Sequence, residues 1–309
     1  MDLPLPCCGS MSGTGLLDTP MPALDDPEGA ALPKALPPVI DAHVHLFPDR
    51  VFEALWRWFD RHGWPIRYRL HAKQVIDFQL SRGVEHIVGL HYAHKPGIAR
   101  GMNAFMATLR SHRVHPVATA HPADPDIADI LNEAFDAGLR GAKLHCHVQA
   151  FAPDDVRLEP FYATCQQRGQ VLVIHAGREP KSPAYPVDTH AVCAVERIEA
   201  VLRAFPRLRV CVPHLGADEF TAYARLAERY ETLWLDTTMV VADYFPGPPL
   251  SELLRVRSDR LIFGTDFPNL PYAWDRELHK LLGQKLPEHE LAALLGGNAR
   301  ALWDLEHVH

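Results

Sequence analysis

From Val39 onward the chain alternates two patterns. Short β-rich apolar runs give way to a polar or proline-bearing turn, and then to a longer stretch whose apolar residues recur at helical spacing. Eight apolar runs can be read: VIDAHVHLF (39–47), VEHIVGLHYA (84–93), VHPVATAHP (114–122), LRGAKLHCHVQAF (139–151), QVLVIHAG (170–177), LRVCVPHLG (208–216), LWLDTTMV (233–240) and LIFGTDFPNL (261–270). Between them lie helical stretches such as 126–138, 154–169, 190–205 and 217–230. Parallel strands need a crossover between them, so this alternation predicts a parallel sheet. Eight units in about 270 residues match an α/β fold of the (β/α)8 TIM-barrel type, which is about 250 residues long. A doubly wound open sheet competes, but no G-x-G-x-x-G follows the first strand. Long excursions after the first and last strands predict added helices over one face, the first carrying Trp56, Trp58 and Trp64.

The first 38 residues hold eight prolines and neither period. They are read as a proline-rich arm, extended or mobile, ahead of a catalytic domain at 39–309. Met11 and Met21 are read as candidate start sites. A net charge of −7, with no block of Lys or Arg, argues against nucleic acid and against an anionic membrane surface. No apolar run approaches the roughly 20 residues of a membrane span, and no basic-then-apolar leader opens the chain, so a cytoplasmic location is expected. Six cysteines without a C-x-x-C pair do not make a disulfide framework.

Histidine changes the picture. The chain has 19, several at the ends of apolar runs. His43 and His45 close the first run, His175 the fifth and His214 the sixth, with Asp266 in the eighth. Barrel enzymes carry their chemistry at the C-terminal rim of the strands, so these residues are expected to converge. Residues i and i+2 of a strand face one side, which lets His43 and His45 approach one point. A lone strand-end histidine is more often a hydrogen-bonded rim residue than a ligand, but four histidines and an aspartate together are costly to bury unless something binds them. A divalent metal satisfies them at once. Imidazole and carboxylate favour Zn2+, with Mn2+, Fe2+, Co2+ or Ni2+ as alternatives.

These motifs resemble the amidohydrolase superfamily, and within it the branch of aminocarboxymuconate-semialdehyde decarboxylase and related metal-dependent hydrolases. The resemblance spans residues 39 to 305. It rests on DAHVHLF, GAKLHCHVQAF, VIHAG, VPHLG, FGTDFPN and GGNARAL, in that order. It implies that His43, His45, His175 and Asp266 hold one divalent metal, with His214 as the neighbouring acid-base or polarising residue. The open coordination position would take water, acidified to hydroxide near neutral pH. Asp266 would receive its proton and His214 would donate a hydrogen bond to the developing oxyanion. Some binuclear relatives bridge two metals with a carbamylated lysine on the fourth strand, where Lys143 stands. Lys143 shares parity with His145 and His147, so at least one of the three is expected to face the interior, and Lys143 serves a second metal, the substrate or a plain ion pair.

Arg178 is the candidate clamp for a substrate carboxylate, because guanidinium offers a planar fork. A surface salt bridge is the alternative. His94 and His121 are expected to line the pocket, and Tyr272 and the three tryptophans to wall it, ordinary helix packing being the competing reading for the tryptophans. Asn269 and Asp275 are read as caps of the next helix. The expected reaction is hydrolysis of an ester, lactone or amide carbonyl in a small carboxylated molecule. Non-oxidative decarboxylation of a small unsaturated or aromatic acid stands second, and a non-catalytic metal-binding barrel is the alternative of another class. No G-x-S-x-G supports a serine hydrolase. The resemblance also implies a homodimer.

Overall fold

A computed structural model describes residues 23–242 and 257–306. Eight parallel strands follow in chain order: β1 (Ile40–His45), β2 (His86–Leu90), β3 (Val114–Pro116), β4 (Ala142–His145), β5 (Leu172–His175), β6 (Val210–Val212), β7 (Leu233–Asp236) and β8 (Leu261–Ile262). The fold is the expected α/β barrel type, with helices Asp49–His62 and Ala72–Ser81 inserted after β1 and helix Arg276–Gly283 after β8. Regular ladders join β1–β2–β3 and β4–β5–β6–β7–β8 as two sheets. At the two seams the ladder reduces to isolated bridges, Ala118 with Ala142 and Val44 with Phe267.

The strands are shorter than the apolar runs that announced them. The 139–151 run is a strand only to His145 and then turns into the short helix Cys146–Gln149. The 208–216 run ends its strand at Val212, and His214 opens a turn in which His214, Leu215, Gly216 and Ala217 all have positive φ. The stretch at 190–205 breaks into Thr189–Val192 and Val195–Ala204, because Cys193 and Ala194 are extended. Apolarity marks what is buried, and these turns are buried as deeply as the strands.

Side chains alternate between an inner and an outer packing layer. Ile40, Ala42, Val88, Val117, Val173, Cys211 and Ile262 form the inner cluster, closed below by Leu302 and Trp303 of the last helix. Val44, Ile87, Leu144, Ile174 and Val210 belong to the outer cluster beneath the helices. In β1 the register against β2 slips between Asp41 and Val44. That irregularity lets Ala42 and the pair His43 and His45 share the interior while Val44 points out, and such slips often re-aim side chains at functional sites.

Residues 23–38 of the proline-rich segment lie against the barrel. The Ala23 N–H donates to the Pro271 carbonyl (2.9 Å), the Leu32 N–H to the Arg82 carbonyl (2.8 Å) and the Gly29 N–H to Asp275 Oδ2 (2.8 Å). Arg276 pairs with Asp26 at 2.8 Å and Arg67 with Glu28 at 3.1 Å. Met11 and Met21 fall outside the described residues. Among those described, no helix is long and apolar enough to cross a membrane.

Gly264 follows β8 where the backbone passes closest to β1. A Cβ there would stand 2.6 Å from His43 Cβ and 2.7 Å from Thr238 Oγ1. Gly264→Ala is expected to destabilise the fold by about 1–3 kcal/mol through overpacking, read from urea unfolding. An unchanged midpoint would contradict this packing.

Candidate metal centre

Beyond Ile262 the chain leaves its ladder and runs beside β1. The Ala42 N–H donates to the Phe263 carbonyl (3.0 Å), the Asp266 N–H to the His43 carbonyl (2.9 Å) and the His45 N–H to the Phe267 carbonyl (2.8 Å). These bonds fix Asp266 between the two histidines. Asp266 has φ 71°, a left-handed conformation that costs an ordinary residue about 1–3 kcal/mol and recurs at functional sites. Its Oδ1 lies 2.9 Å from His45 Nε2 and 3.3 Å from His43 Nε2.

The proton positions show what this arrangement lacks. His43 Nδ1 stands 2.8 Å from Asp236 Oδ2, and a carboxylate accepts, so the Nδ1–H is the donor. Burial pushes the His43 imidazole down to about 4, leaving it neutral at pH 7 with a bare lone pair on Nε2. That lone pair faces the Asp266 carboxylate. Burial would raise the Asp266 carboxyl, but His45, whose Nε2 stands 2.9 Å from it, outweighs burial and holds it well below the usual carboxylate range. Two electron-rich atoms at 3.3 Å call for a positive centre beside them, and the His43, His45 and Asp266 donor atoms lie within 4.8 Å of one another. The donor set fits a divalent cation.

Asp236 organises the floor. Besides holding His43, its Oδ1 accepts from the backbone N–H of His214 (3.0 Å) and of Thr238 (3.2 Å). His214 Nδ1 donates to the Thr238 carbonyl (3.0 Å). One buried carboxylate thereby sets the tautomer of His43 and the backbone position of His214, the arrangement by which outer partners orient metal-binding imidazoles. A second carboxylate, Asp41, accepts from Thr265 Oγ1 (2.6 Å) and Gln79 Nε2 (2.9 Å) and ties β1 to the segment carrying Asp266.

His175 does not join the first three by contact. It stacks on His145 with ring centroids 4.1 Å apart and groups with His145 and His147. His214 stands between the sets, its ring 4.8 Å from His175 and 5.8 Å from His43. Lys143, His145 and His147 are all buried. Lys143 Nζ has no hydrogen-bond partner among the described residues, and burial pushes its amine down to about 8.

His45, His145, His175, His214 and Asp266 open on one cavity of about 280 Å3. Phe47, Trp58, Phe59, Trp64, Tyr92 and Tyr185 supply its aromatic walls, and His94 and Asn269 also line it. Trp56 stacks instead on Phe52 (5.8 Å). Arg178 lies outside the lining because Asp218 (2.8 Å) and Glu219 (3.5 Å) engage its guanidinium. His121 also lies outside it, accepting from the Ala123 N–H at 3.1 Å, as does Tyr272, whose hydroxyl meets buried Glu277 at 3.0 Å. Asp275 precedes helix Arg276–Gly283 without a side-chain cap bond; its Oδ2 instead accepts from the Gly29 N–H (2.8 Å) and meets His279 Nε2 at 3.2 Å. Sequence reasoning passed over Asp236, although an acid closing an apolar strand is the same signal that exposed the histidines. Tyr92 and Tyr185 carried no such mark.

The amidohydrolase family profile matches residues 40–305, and the chain belongs to that family. No curated protein matches it. Among solved structures it is similar to an uncharacterized TIM-barrel protein of Bordetella bronchiseptica, 21% identical, covering 87% of this chain and 99% of that one, TM-score 0.66. It is similar also to a 5-carboxyvanillate decarboxylase of Novosphingobium aromaticivorans, complexed with manganese and 4-hydroxy-3-methoxy-5-nitrobenzoic acid, 15% identical over 92% and 99%, TM-score 0.65. A third, a proposed 2-pyrone-4,6-dicarboxylic acid hydrolase of Pseudomonas putida, is 18% identical over 88% and 99%, TM-score 0.57. At these identities the likeness establishes the fold. The family's members are enzymes that include hydrolases and decarboxylases.

Asp236→Asn is expected to weaken metal binding about 10- to 100-fold, as loss of an outer partner does, while the chain stays folded. Metal titration of the stripped protein reads this directly; unchanged affinity would remove Asp236 from the site.

Proposed function

We propose that this chain is a divalent-metal-dependent hydrolase acting on the ester, lactone or amide carbonyl of a small, flat, largely apolar molecule. The observation that carries the reading is the neutral His43 lone pair set against the carboxylate of Asp266, which lines an aromatic cavity. His43, His45 and Asp266 would hold the ion, Zn2+ first. When bound, such an ion polarises a carbonyl and lowers the pKa of bound water toward 7.

The chain's own residues supply the rest. With its Nδ1 proton donated to the Thr238 carbonyl, His214 offers Nε2 as a proton acceptor, so its role shifts from oxyanion donor to general base. Asp266, held by His45 at 2.9 Å and by its own backbone bond to His43, positions rather than shuttles. The aromatic walls exclude water and so strengthen each charge interaction inside. They also select a planar substrate by stacking. Among the described residues no Arg or Lys lines the cavity, so a carboxylate clamp by Arg178 is not part of the proposal.

The same observation favours one second reading. A substrate carboxylate would find its counter-charge only at the cation, which is where a non-oxidative decarboxylase needs it. Hydrolysis in 18O-water places one labelled oxygen in the acid product, whereas decarboxylation releases CO2 and leaves the organic product unlabelled. Label in the product supports hydrolysis, and unlabelled product with CO2 reverses the order. Metal-loaded protein that turns over no ester, lactone, amide or aromatic acid would leave a non-catalytic metal-binding barrel.

Two variant classes separate the roles. His45→Ala and Asp266→Ala are expected to lose this ion and turnover together. His214→Ala is expected to keep the ion and lose about 10²- to 10⁴-fold in kcat, the usual contribution of a general base. Loss of the ion in that variant would make His214 a ligand.

A further inference from the structure

We propose, on the footing of the hydrolysis above, that Tyr92 is a catalytic residue whose phenol O–H donates a hydrogen bond to the oxyanion formed at the substrate carbonyl. The role is vacant, because His214 Nδ1 is spent on the Thr238 carbonyl and no lysine or arginine lines the cavity among the described residues.

Tyr92 stands two residues beyond β2, at the rim of the cavity that it lines. Its neighbours in sequence are turned to other tasks. His91 is buried with Nε2 donating to the Val117 carbonyl (2.9 Å), whereas His94 is exposed. The backbone beside Tyr92 is pinned on both sides: the Ala93 N–H donates to Thr119 Oγ1 (3.4 Å), and the Ala93 carbonyl accepts from Gln149 Nε2 (3.0 Å). Three rings hold the phenol edge to face, Phe47 at 5.1 Å, His145 at 5.0 Å and His45 at 6.1 Å between centroids. Contact with His45 puts it beside the metal centre.

A phenylalanine would make the same ring contacts, so the hydroxyl is what distinguishes this residue. Tyr92 is buried, and no hydrogen bond among the described residues engages that hydroxyl. A buried hydroxyl without a partner costs free energy, and a bound substrate oxygen would supply the partner. The proton is secure, since burial, and after it Tyr185 and Asp266, push the phenol up from its usual value. A neutral donor fixed before reaction stabilises developing charge without reorganising. As water adds to the carbonyl carbon and His214 Nε2 takes its proton, the C=O electron pair moves onto oxygen. Tyr92 shares its proton with that oxygen and keeps it. The pair returns as the leaving oxygen or nitrogen departs with the proton from His214.

Tyr92→Phe removes the hydroxyl and keeps the ring. In Zn2+-loaded full-length protein the variant is expected to lose about 10²- to 10³-fold in kcat on aryl esters and lactones, the usual cost of one oxyanion donor, with little change in KM. Unchanged circular dichroism and zinc content separate that loss from one of fold or ion. Calorimetry reads the same contact without turnover. Phenylphosphonate, tetrahedral and anionic, is expected to bind the variant about 10- to 100-fold more weakly, the worth of one hydrogen bond to a charged group, while planar, neutral benzamide binds both proteins alike. Equal phenylphosphonate affinity, or none in the wild type, overturns the proposal. So does a loss that falls on KM alone or equally on benzamide, which would make Tyr92 a ground-state contact. A wild type that turns over no ester, lactone or amide removes the hydrolysis, and the phosphonate comparison still decides whether Tyr92 donates to an oxyanion.

Discussion

The strand seam between β1 and the segment after β8 is the constraint on which the rest depends. Two backbone bonds, from Asp266 to His43 and from His45 to Phe267, hold a carboxylate against two imidazoles. Side chains alone would not keep these groups together, because each pays desolvation on burial and two of them present lone pairs to each other. The backbone holds the positions, and a cation would neutralise what they create. The left-handed turn at Asp266 and the close passage at Gly264 are the local costs of bringing that segment so near.

Beneath the seam lies a layer of buried acids with separate tasks. Asp41 ties β1 to Thr265 and the helix bearing Gln79, while Asp236 sets the tautomer of His43 and the backbone of His214. Neither lines the cavity. Above the seam the walls become aromatic and carry no lysine or arginine among the described residues, so positive charge in the cavity would come from a bound cation, while the rings give the cavity its shape.

Much of this was legible in the sequence because the fold repeats one unit and burial leaves an apolar mark. All eight runs became strands, and His43, His45, His214 and Asp266 do gather at one rim. Strand ends were less legible. Buried turns at His214 and after His145 are as apolar as the ladder itself, so periodicity could not end the strands there. Arg178 looked like a clamp because its position after β5 was right, but its nearest carboxylates, Asp218 and Glu219, lie some 40 residues away in sequence and were invisible to it. Parity placed His145 and His147 beside Lys143, yet only the pairing of β4 with β5 shows that they meet His175. The proline-rich segment hid its docking for the same reason: its partners, at Arg82, Pro271 and Asp275, are distant and mostly backbone.

The most direct measurement is anomalous diffraction at the metal edge from crystals of protein purified without added metal. The account predicts a peak about 2.0–2.2 Å from a nitrogen of His43, a nitrogen of His45 and an oxygen of Asp266, as Zn-type ligation requires. Anomalous density that avoids this triad, in protein whose metal content is confirmed, would contradict it.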